Sequence, residues 1–275
     1  YLKKLATGEI LGAFCLSEPE AGSDATSQKT TAFDKGDHYV LNGTKNWITN
    51  GANADTHVIM AMTDMSLGHK GISAFIVDAD LPGFGIAHTE KKMGIRASDT
   101  AHLALDNVRV PDTQVLGDEG TGFKIAMSTL DGGRIGVAYQ ALGIADACLD
   151  AAARYSIERE QFGQPIARFQ GVSFQVADMI TEIDAADWLT LAGAWRLDQG
   201  LPANREIASA KLYASEMVNR TTAKALQMHG GYGFTKEYPV ERFYRDARVF
   251  TIYEGTSEIQ RIVISNHVLK DKRKP

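Results

Sequence analysis

The hydrophobic pattern of the chain changes near residue 120, and this change limits the folds that are open to it. Before that point, short apolar runs such as residues 57–62 and 72–77 are separated by Gly, Asp and Asn. Short, regularly spaced strands of this kind indicate an antiparallel barrel or sandwich. Beyond it, apolar residues recur at spacings of three and four over long segments, which indicates helices. We therefore predict an α+β chain with a β-barrel domain at residues 1–117 and a helical domain at residues 118–275.

Three long helices and a final helix pair are predicted in the second domain. The first helix continues to about residue 160 and ends before Gly163 and Pro165, which interrupt helices. The second covers about residues 172–198, and the third covers about residues 207–229. Long antiparallel helices with short connections favour a four-helix bundle. The expected architecture is therefore an antiparallel β-barrel followed by a four-helix bundle.

A tight turn is predicted within the first domain at Asn42-Gly43. This dipeptide separates two strand-like runs, residues 39–41 and 44–49. Asn-Gly between strands is the strongest short-range signal for a hairpin, because both residues tolerate a positive φ. We therefore expect residues 39–49 to form a β-hairpin. A second turn is expected at residues 81–85.

Composition and charge exclude several classes of function. The 275 residues are 44% hydrophobic and 23% charged, which is typical of a globular protein with room for two domains. The formal net charge of -5 and the lack of a basic patch argue against nucleic-acid binding. The dense basic run at residues 270–274 is predicted to be a solvated tail. Since no apolar run reaches transmembrane length and no signal-like start is present, a bacterial cytoplasmic or mitochondrial-matrix protein is expected.

Cysteine and histidine spacing gives no metal-site pattern. Cys15 and Cys148 lie far apart without a CxxC arrangement, so two buried thiols are expected. His57, His88 and His102 also lack the spacing of metal ligands. We therefore expect no metal.

The stretch at residues 245–261 suggests chemistry. Gly255 is the expected stop of one helix, because glycine enters the left-handed region without steric cost. Ser257 with Gln260 three residues later is a capping-box pattern, which starts the next helix. Glu254 is therefore predicted in the last turn of the first helix, beside free N–H groups that suit a phosphate. A base beside an anion cradle indicates chemistry on a phosphate-bearing ligand, although an exposed glutamate at a helix end is the commoner pattern.

Two further features are unusual for residues that only pack. Asp131-Gly132-Gly133-Arg134 places two glycines inside a helix, at about 1 kcal/mol each relative to Ala. Either another group approaches the backbone closely there, or the helix kinks or packs tightly. Arg159 and Phe162 lie at a helix end, where an arginine commonly matches the helix dipole.

In combination, these stretches resemble the acyl-CoA dehydrogenase family over nearly the whole chain. Each motif is weak alone, and their number and order carry the resemblance. The motifs are Phe14-Cys15-Leu16-Ser17-Glu18-Pro19 with Gly22-Ser23-Asp24, Asn42-Gly43-Thr44-Lys45 with Trp47-Ile48-Thr49-Asn50, Arg159 with Gln161-Phe162-Gly163, Gln227-Met228-His229-Gly230-Gly231, and Tyr253-Glu254-Gly255-Thr256-Ser257-Glu258.

The resemblance implies an FAD enzyme that converts a short-chain acyl-CoA to the trans-2-enoyl-CoA. Glu254 matches the family's catalytic base, which removes the α-proton as a hydride leaves the β-carbon for the flavin. A base of raised pKa in a dry site suits this step. The thioester oxygen would be held by the backbone N–H of Glu254 and a flavin ribityl hydroxyl, as in an oxyanion hole. Some relatives carry the base at the position of Gly133, which leaves Glu254 as the only family-consistent base.

The resemblance also implies binding residues and partners. The cofactor-binding set is Phe14, Cys15, Leu16, Ser17, Ser23, Trp47, Ile48, Thr49, Arg159, Phe162, Gln170, Gln227, Met228, His229, Gly230, Gly231, Thr256, Ser257 and Glu258. The substrate-binding set is Ser23, Asp131, Gly132, Gly133, Arg134 and Gly255. Arg159, Gln170 and residues 227–231 would reach the FAD of a neighbouring subunit, so a homo-oligomer, with a dimer of dimers favoured, is expected. The expected electron acceptor is electron-transferring flavoprotein.

One departure from the family leaves two other functions in view. The family usually begins with an all-helical domain of about one hundred residues that covers the substrate pocket, and this chain starts after it. A truncated, non-catalytic module would keep the barrel and bundle for assembly. An acyl-CoA oxidase would instead pass its electrons to oxygen.

Overall fold

The computed structural model describes residues 1–272, and the chain divides into two compact units. The first unit is Tyr1–Thr129, and the second begins at Leu130. This division falls inside a long helix, so the boundary expected between residues 117 and 118 stays a prediction. Within the basic C-terminal run, Arg273 and Lys274 lie outside the described residues.

The first unit is built around one seven-stranded sheet. Its elements are α1 (Leu2–Thr7), β1 (Gly12–Cys15), β2 (Thr31–Asp34), β3 (His38–Thr49), β4 (Thr56–Met62), β5 (Ile72–Asp78), β6 (Phe84–Thr89) and β7 (Thr100–Pro111). The strand order is β1-β4-β2-β3-β7-β6, with β5 paired to β4. No pairing joins β5 to β6 within residues 1–272, and the sheet is a curled half-barrel.

The sheet is mixed, whereas the sequence pattern predicted antiparallel strands throughout. β3 pairs with β2 and β7, and β5 with β4, in the antiparallel direction. β1 instead pairs with β4 in parallel over Gly12–Cys15, and β2 meets β4 in parallel where Thr31 lies opposite Met62. A parallel pair needs a long crossover connection, which β2 and β3 supply between β1 and β4. Hydrophobic patterning predicts where strands lie but not which strands pair with each other. The parallel pairing could therefore not be predicted from the sequence pattern.

The predicted hairpin at Asn42-Gly43 is wrong, because β3 continues through both residues. The pairing of β3 with β7 shifts register between Leu41 and Gly43, which marks a β-bulge. Gly43 has a φ of 147°, and a Cβ there would lie 2.6 Å from Thr30 Oγ1. Asn42 Oδ1 accepts a hydrogen bond of 2.8 Å from Asn107 N on β7. Asn42-Gly43 therefore forms a β-bulge that lets Thr30 come close to β3, and it does not form a turn.

Side chains from the central strands form an apolar core in this unit. Leu41, Ile59, Phe75 and Leu103, from β3, β4, β5 and β7, are fully buried. The Tyr39 ring packs edge-on against Phe75 with its centroid 5.0 Å away. Full burial of such a side chain contributes about 1.5–3 kcal/mol, so this core stabilises the positions of the strand ends and loops.

A buried ion pair holds the loop after β1 against β3. Lys45 and Glu18 side chains are 0% and 5% exposed, and Lys45 Nζ lies 2.8 Å from Glu18 Oε1. The ammonium also donates to Leu16 O and Gln28 Oε1, each at 3.1 Å. Glu18 in turn accepts from the backbone N–H of Thr30 at 3.1 Å. Burial tends to raise the pKa of Glu18, but Lys45 and the hydrogen bonds lower it overall, so the carboxylate stays ionised.

The second unit is helical, and its helix α4 packs against α3, α5 and α6. Its elements are α2 (Gly122–Glu158, which begins before the division), β8 (Glu160–Gln161), β9 (Gln164–Pro165), α3 (Gln170–Asp198), α4 (Asn204–His229), α5 (Val240–Ala247) and α6 (Ser257–Lys272). Cys148 of α2, Met179 of α3 and Ala225 of α4 share one buried cluster. The first three helices lie close to their predicted bounds, whereas the four-helix bundle stays a prediction.

Removing one partner of the buried ion pair should destabilise the first unit. Lys45→Met leaves the Glu18 carboxylate buried without its counter-ion, and we expect the free energy of unfolding to fall by about 3–5 kcal/mol. Lys29→Met is the matched control, because the Lys29 and Glu20 side chains of that pair are 72% and 67% exposed. Its loss should stay below about 1 kcal/mol. Urea titrations followed by circular dichroism measure both changes, and equal losses would contradict the role of Lys45.

Candidate active site

Glu254 lies in a left-handed turn between two helical segments, not in the last turn of a helix as predicted. α5 ends at Ala247, a 3-10 turn covers Arg248–Thr251, and α6 begins at Ser257. Glu254 has a φ of 54° and Gly255 has a φ of 87°. A residue other than glycine in this region costs about 1–3 kcal/mol and persists only where its surroundings hold it. The sequence pattern placed the left-handed conformation at Gly255 alone.

Side chains tie the start of α6 to this turn. Thr256 Oγ1 accepts a hydrogen bond of 3.3 Å from a backbone N–H three residues later, so Thr256 caps the helix rather than the predicted Ser257. Ser257 is buried, and its Oγ has no hydrogen-bond partner in the part of the chain that the structure describes. Gln260 Nε2 donates to the carbonyl oxygens of Glu254 at 3.3 Å and Gly255 at 3.0 Å. Gln260 therefore fixes the turn rather than the helix cap.

The Glu254 side chain is only partly exposed, and one of its carboxylate oxygens is withdrawn from solvent. Its Oε2 atom is buried and has no hydrogen-bond partner within residues 1–272. Burial raises the pKa of Glu254, and the positive charges of Arg134 and Lys211 oppose this only in part. An exposed glutamate at a helix end, the commoner explanation of the pattern, does not fit these properties. A buried carboxyl with raised proton affinity is instead suited to take a proton from a ligand.

Gly133 provides the space that the Glu254 carboxylate occupies. α2 continues as a helix through both glycines of the 131–134 motif. A Cβ at Gly133 would lie 2.6 Å from Glu254 Oε2, whereas a Cβ at Gly132 would meet nothing within 4 Å. Of the explanations that the sequence left open, close approach of another group therefore applies at Gly133.

Arg134 links the motif on α2 to the Glu254 turn. Arg134 is 7% exposed, and its Nε donates to Glu254 O at 3.3 Å. Its Nη1 donates to Asp131 Oδ1 at 2.8 Å, and Asn204 Nδ2 on α4 donates to the other oxygen of Asp131 at 2.8 Å. Burial raises the pKa of Asp131 despite the neighbouring Arg134. The fold thus gathers Asp131, Gly133 and Arg134, all predicted site residues, around Glu254.

Lys211 belongs to the same cluster but was not predicted. It is fully buried on α4, and its Nζ donates to Phe250 O at 2.7 Å and to Gly255 O at 2.8 Å. Burial, with the repulsion of Arg134, lowers the pKa of Lys211 to about 8. A signal existed, because Lys211 follows Ile207 by four residues on an apolar helix face, where a charge is unusual. The Glu254 cluster is defined here as Asp131, Gly133, Arg134, Lys211, Glu254, Gly255 and Gln260.

Other predicted residues line a cavity of about 530 Å³ in the helical unit. The lining residues are Tyr155, Arg159, Gln161, Ile166, Met228, His229, Gly230, Gly231, Tyr232 and Thr235. The His229 ring stacks on Tyr155 with centroids 4.3 Å apart, and the Arg159 guanidinium lies 5.7 Å from the Tyr232 ring centroid. The cavity therefore unites Arg159 with the 228–231 part of the predicted cofactor set.

The remaining predicted residues of the helical unit are more dispersed. Phe162, Gln170 and Gln227 are exposed and do not line this cavity. Thr256 lies just before the first turn of α6, where Glu258 is exposed. The aromatic lining residues Tyr155 and Tyr232 were not predicted. Their ring contacts form only in the folded chain, and no pattern in the neighbouring sequence indicates them.

In the sheet unit, the two segments predicted to line a flavin lie side by side. The N–H of Asn46 donates to Ser17 O at 2.8 Å, next to the contact of Lys45 with Leu16. Trp47, which follows directly, has a φ of 62° and is 59% exposed. These contacts hold the chain after β1 against the end of β3.

Two predicted cofactor residues of this unit face the apolar core. Cys15 and Ile48 are buried in that core, so their side chains pack within the protein and are not accessible to a ligand. Burial raises the pKa of Cys15 to about 12, which keeps the thiol protonated at neutral pH. Phe14 is half-buried, and Thr49 and Ser23 are exposed.

Several other classes of site find no support within residues 1–272. No group of His, Cys, Asp and Glu side chains there could hold a metal ion. Cys15 and Cys148 are buried free thiols, as expected. No helix in these residues is long and apolar enough to cross a bilayer.

Neutralising Glu254 should stabilise the fold in a pH-dependent way. Because its pKa is raised above the ordinary 4.5, the folded state keeps a proton that the unfolded state loses, and stability falls as the pH rises through this range. Glu254→Gln removes that loss, so we expect a Tm a few degrees above wild type at neutral pH and an equal Tm near pH 4. Glu258→Gln, at an exposed carboxyl whose pKa is lowered, is the control and should not raise the Tm. Equal Tm values for wild type and Glu254→Gln at both pH values would contradict the burial of the carboxyl.

Comparison with known proteins gives matches along almost the whole chain. The family model described as "Acyl-CoA dehydrogenase, middle domain" matches residues 13–108. The family model described as "Acyl-CoA dehydrogenase, C-terminal domain" matches residues 120–269. Members of this family are flavoproteins, for which FAD is typical.

Individual relatives agree with these domain matches. The short-chain specific acyl-CoA dehydrogenase of Clostridium acetobutylicum is 51% identical over 270 residues, which are 98% of this chain and 71% of the relative. The caffeyl-CoA reductase-Etf complex subunit CarC of Acetobacterium woodii has the same identity, 51%, over 98% of this chain and 71% of its own length. The solved structure of butyryl-CoA dehydrogenase from Megasphaera elsdenii matches with a TM-score of 0.96 and 50% identity, covering 98% of this chain and 70% of that one. With both domain descriptions and these relatives in agreement, the chain belongs to the acyl-CoA dehydrogenase family of oxidoreductases.

Proposed function

We propose that this chain catalyses the FAD-dependent α,β-dehydrogenation of a short-chain acyl-CoA, with Glu254 as the base. The observation that carries the proposal is the Glu254 carboxylate, which lies against Gly133 with a buried Oε2 that lacks a partner in the described chain. The names of the relatives support the substrate class, because one is short-chain specific and another is a butyryl-CoA dehydrogenase.

The α-proton of the thioester is the proton that this carboxyl is suited to take. A carboxylate held out of water is a stronger base than a solvated one, because burial disfavours its ionised form. Glu254 starts the forward step ionised and ends it protonated. Its backbone N–H would donate to the thioester oxygen and stabilise the enolate-like charge of the transition state. The chemistry that bound FAD supplies is acceptance of the hydride from the β-carbon.

Three separate groups of residues have properties that suit parts of an FAD molecule. Ser257 Oγ is a buried hydroxyl without a described partner at the N-terminus of α6, where free N–H groups suit phosphate or ribose oxygens. Trp47 and Thr49 are exposed at the end of β3, where we assign the flavin ring. Arg159 and Gly230 line the cavity of the helical unit, which we assign to the FAD of a neighbouring subunit. This assignment makes the proposed assembly a homo-oligomer, with a dimer of dimers favoured.

The proposed substrate residues divide into three roles. Arg134 is buried and already bonded to Asp131 and to Glu254 O, so we assign both residues to holding Glu254. Gly133 keeps the space before the carboxylate free. Gly132 and Ser23 are exposed and Gly255 is partly exposed, so each of them is accessible to a ligand, and we assign these three residues to contact with the acyl-CoA.

A redox partner and a reverse reaction are suggested by one relative. It is named a caffeyl-CoA reductase-Etf complex subunit and is 51% identical to this chain. We therefore propose electron-transferring flavoprotein as the partner and a reaction that can proceed in both directions. In the reductive direction Glu254 starts protonated and donates to the α-carbon, because one group serves the same step both ways.

Anaerobic titration of the purified holoprotein with butyryl-CoA tests the proposed reaction. We expect the oxidised-flavin absorbance of the wild type to bleach, and the bleaching rate of Glu254→Gln to fall by about 10²–10⁴-fold with FAD still bound. Bleaching of this variant at the wild-type rate would contradict the base assignment. Peroxide formation in air without an added acceptor would identify an oxidase. A yellow protein that butyryl-CoA does not bleach would point to a different acyl group, and one that no acyl-CoA bleaches would favour a non-catalytic module.

Gly133→Ala should displace the carboxylate without altering its chemistry. The added methyl would lie 2.6 Å from Glu254 Oε2, so the carboxylate must move. We expect kcat to fall by about 10²-fold, the effect that a misplacement of about 1 Å can have. Gly136→Ala, three residues later on α2, is the matched control, because its Cβ would meet nothing within 4 Å. Equal kcat values for the two variants would contradict the placement of Glu254 against Gly133.

A further inference from the structure

Lys211 braces the Glu254 turn on both sides. Its Nζ donates to Phe250 O at 2.7 Å, before Glu254, and to Gly255 O at 2.8 Å, after it. Carbonyl groups at the end of a helical segment lack partners within that segment, and Lys211 supplies one to the 3-10 turn that ends near Phe250. Lys211 therefore fixes the separation of the two points between which Glu254 is held.

Burial of the Lys211 charge has a free-energy cost that a side chain with only a packing role would not need. It is fully buried, and both groups that its ammonium contacts are neutral carbonyls. A buried ammonium without a counter-ion in contact carries a large desolvation penalty. Methionine would fill similar space without that penalty, so the positive charge is the property that requires an explanation.

The charged groups around Lys211 identify its target. Arg134 on α2 repels its ammonium, while Glu254, Glu216 on α4 and Glu258 on α6 attract it. The Glu216 and Glu258 side chains are 37% and 75% exposed, so solvent screens them. Glu254 has a buried Oε2, and the field of Lys211 therefore acts mainly on this carboxyl.

We propose that Lys211 is a positioning residue for the Glu254 base: its hydrogen bonds fix the turn that carries the carboxylate, and its positive charge favours the ionised form of that carboxylate. This inference rests on the proposed function, which makes Glu254 the base. Gln260 shares the mechanical task by donating to Glu254 O and Gly255 O, whereas it carries no charge. Arg134 shares the electrostatic task, but its charge is partly neutralised by Asp131 at 2.8 Å.

Three variants of the holoenzyme separate the two roles of Lys211. Lys211→Met removes the donors and the charge, and Lys211→Arg keeps the charge with a different donor geometry. Lys224→Met is the matched control on the same helix, because Lys224 Nζ lies 3.4 Å from Glu182 at a partly exposed position away from the turn. The values of kcat and KM for butyryl-CoA are measured across about pH 5 to 9, and FAD content and Tm report the folding of each variant.

For Lys211→Met we expect kcat at neutral pH to fall about tenfold with KM nearly unchanged. The acidic limb of the kcat profile should move about one pH unit higher, because loss of a positive charge disfavours the ionised base. Lys211→Arg should lower kcat without moving the limb, and Lys224→Met should match the wild type in both. A wild-type limb in a folded Lys211→Met enzyme would overturn the proposal, even with a lowered Tm, since it would show a purely structural lysine.

Two additions keep this test decisive. If Lys211→Met does not bind FAD, Lys211→Gln replaces it, because glutamine keeps a donor without the charge, and the same upward movement of the limb is expected. Glu254→Gln is measured in parallel. Turnover by Glu254→Gln would remove the proposed function itself, whereas an inactive Glu254→Gln together with an unmoved limb in the Lys211 variants would remove only the role of Lys211.

Discussion

The candidate site depends on one physical constraint: one oxygen of the Glu254 carboxylate is buried without a hydrogen bond. Ionised groups are stabilised by solvation or by pairing, and Oε2 of Glu254 has neither within the described residues. The protein meets this constraint by holding the backbone of Glu254 from two sides, through Arg134 and Gln260 at its carbonyl oxygen. Hydrogen bonds thus fix the main chain of the turn, whereas Oε2 of Glu254 has no hydrogen-bond partner among the described residues. This arrangement suits a general base in a dry site.

A buried lysine that binds loop carbonyls occurs in both units, with a different balance of charge in each. Lys45 donates to Leu16 O and has Glu18 as its buried counter-ion. Its charge is therefore neutralised locally, and its effect is to hold a loop. Lys211 contacts only carbonyl oxygens among the bonds described above, so its field reaches the nearby Glu254. A buried lysine with a counter-ion in contact can thus stabilise a loop, whereas one without such a contact can alter the proton affinity of a nearby carboxyl group.

Sequence patterns predicted best the features that depend on neighbouring residues. The long helices follow a local period, and α2, α3 and α4 lie near their expected bounds. The resemblance to the acyl-CoA dehydrogenase family, which depends on the order of motifs, is confirmed by both domain matches. Asn42-Gly43 shows where such patterns fail, because the tolerance of a positive φ that favours a hairpin also favours a bulge. The choice between them was made by Thr30, which lies just before β2, and by Asn107 on β7, because both approach this dipeptide.

From the sequence alone came the division into a strand-rich and a helical part, the family, and Glu254 as the candidate base, because local periodicity and motif order carry this information. Tertiary structure decided that β1 and β2 pair with β4 in parallel, that Glu254 adopts a left-handed φ, and that its carboxylate lies against Gly133. It also brought Lys211 to the turn. The physical reason is separation along the chain: Arg134 and Glu254 are 120 residues apart, and Lys211 and Phe250 are 39 apart. Contacts between such distant residues form only when the helices pack.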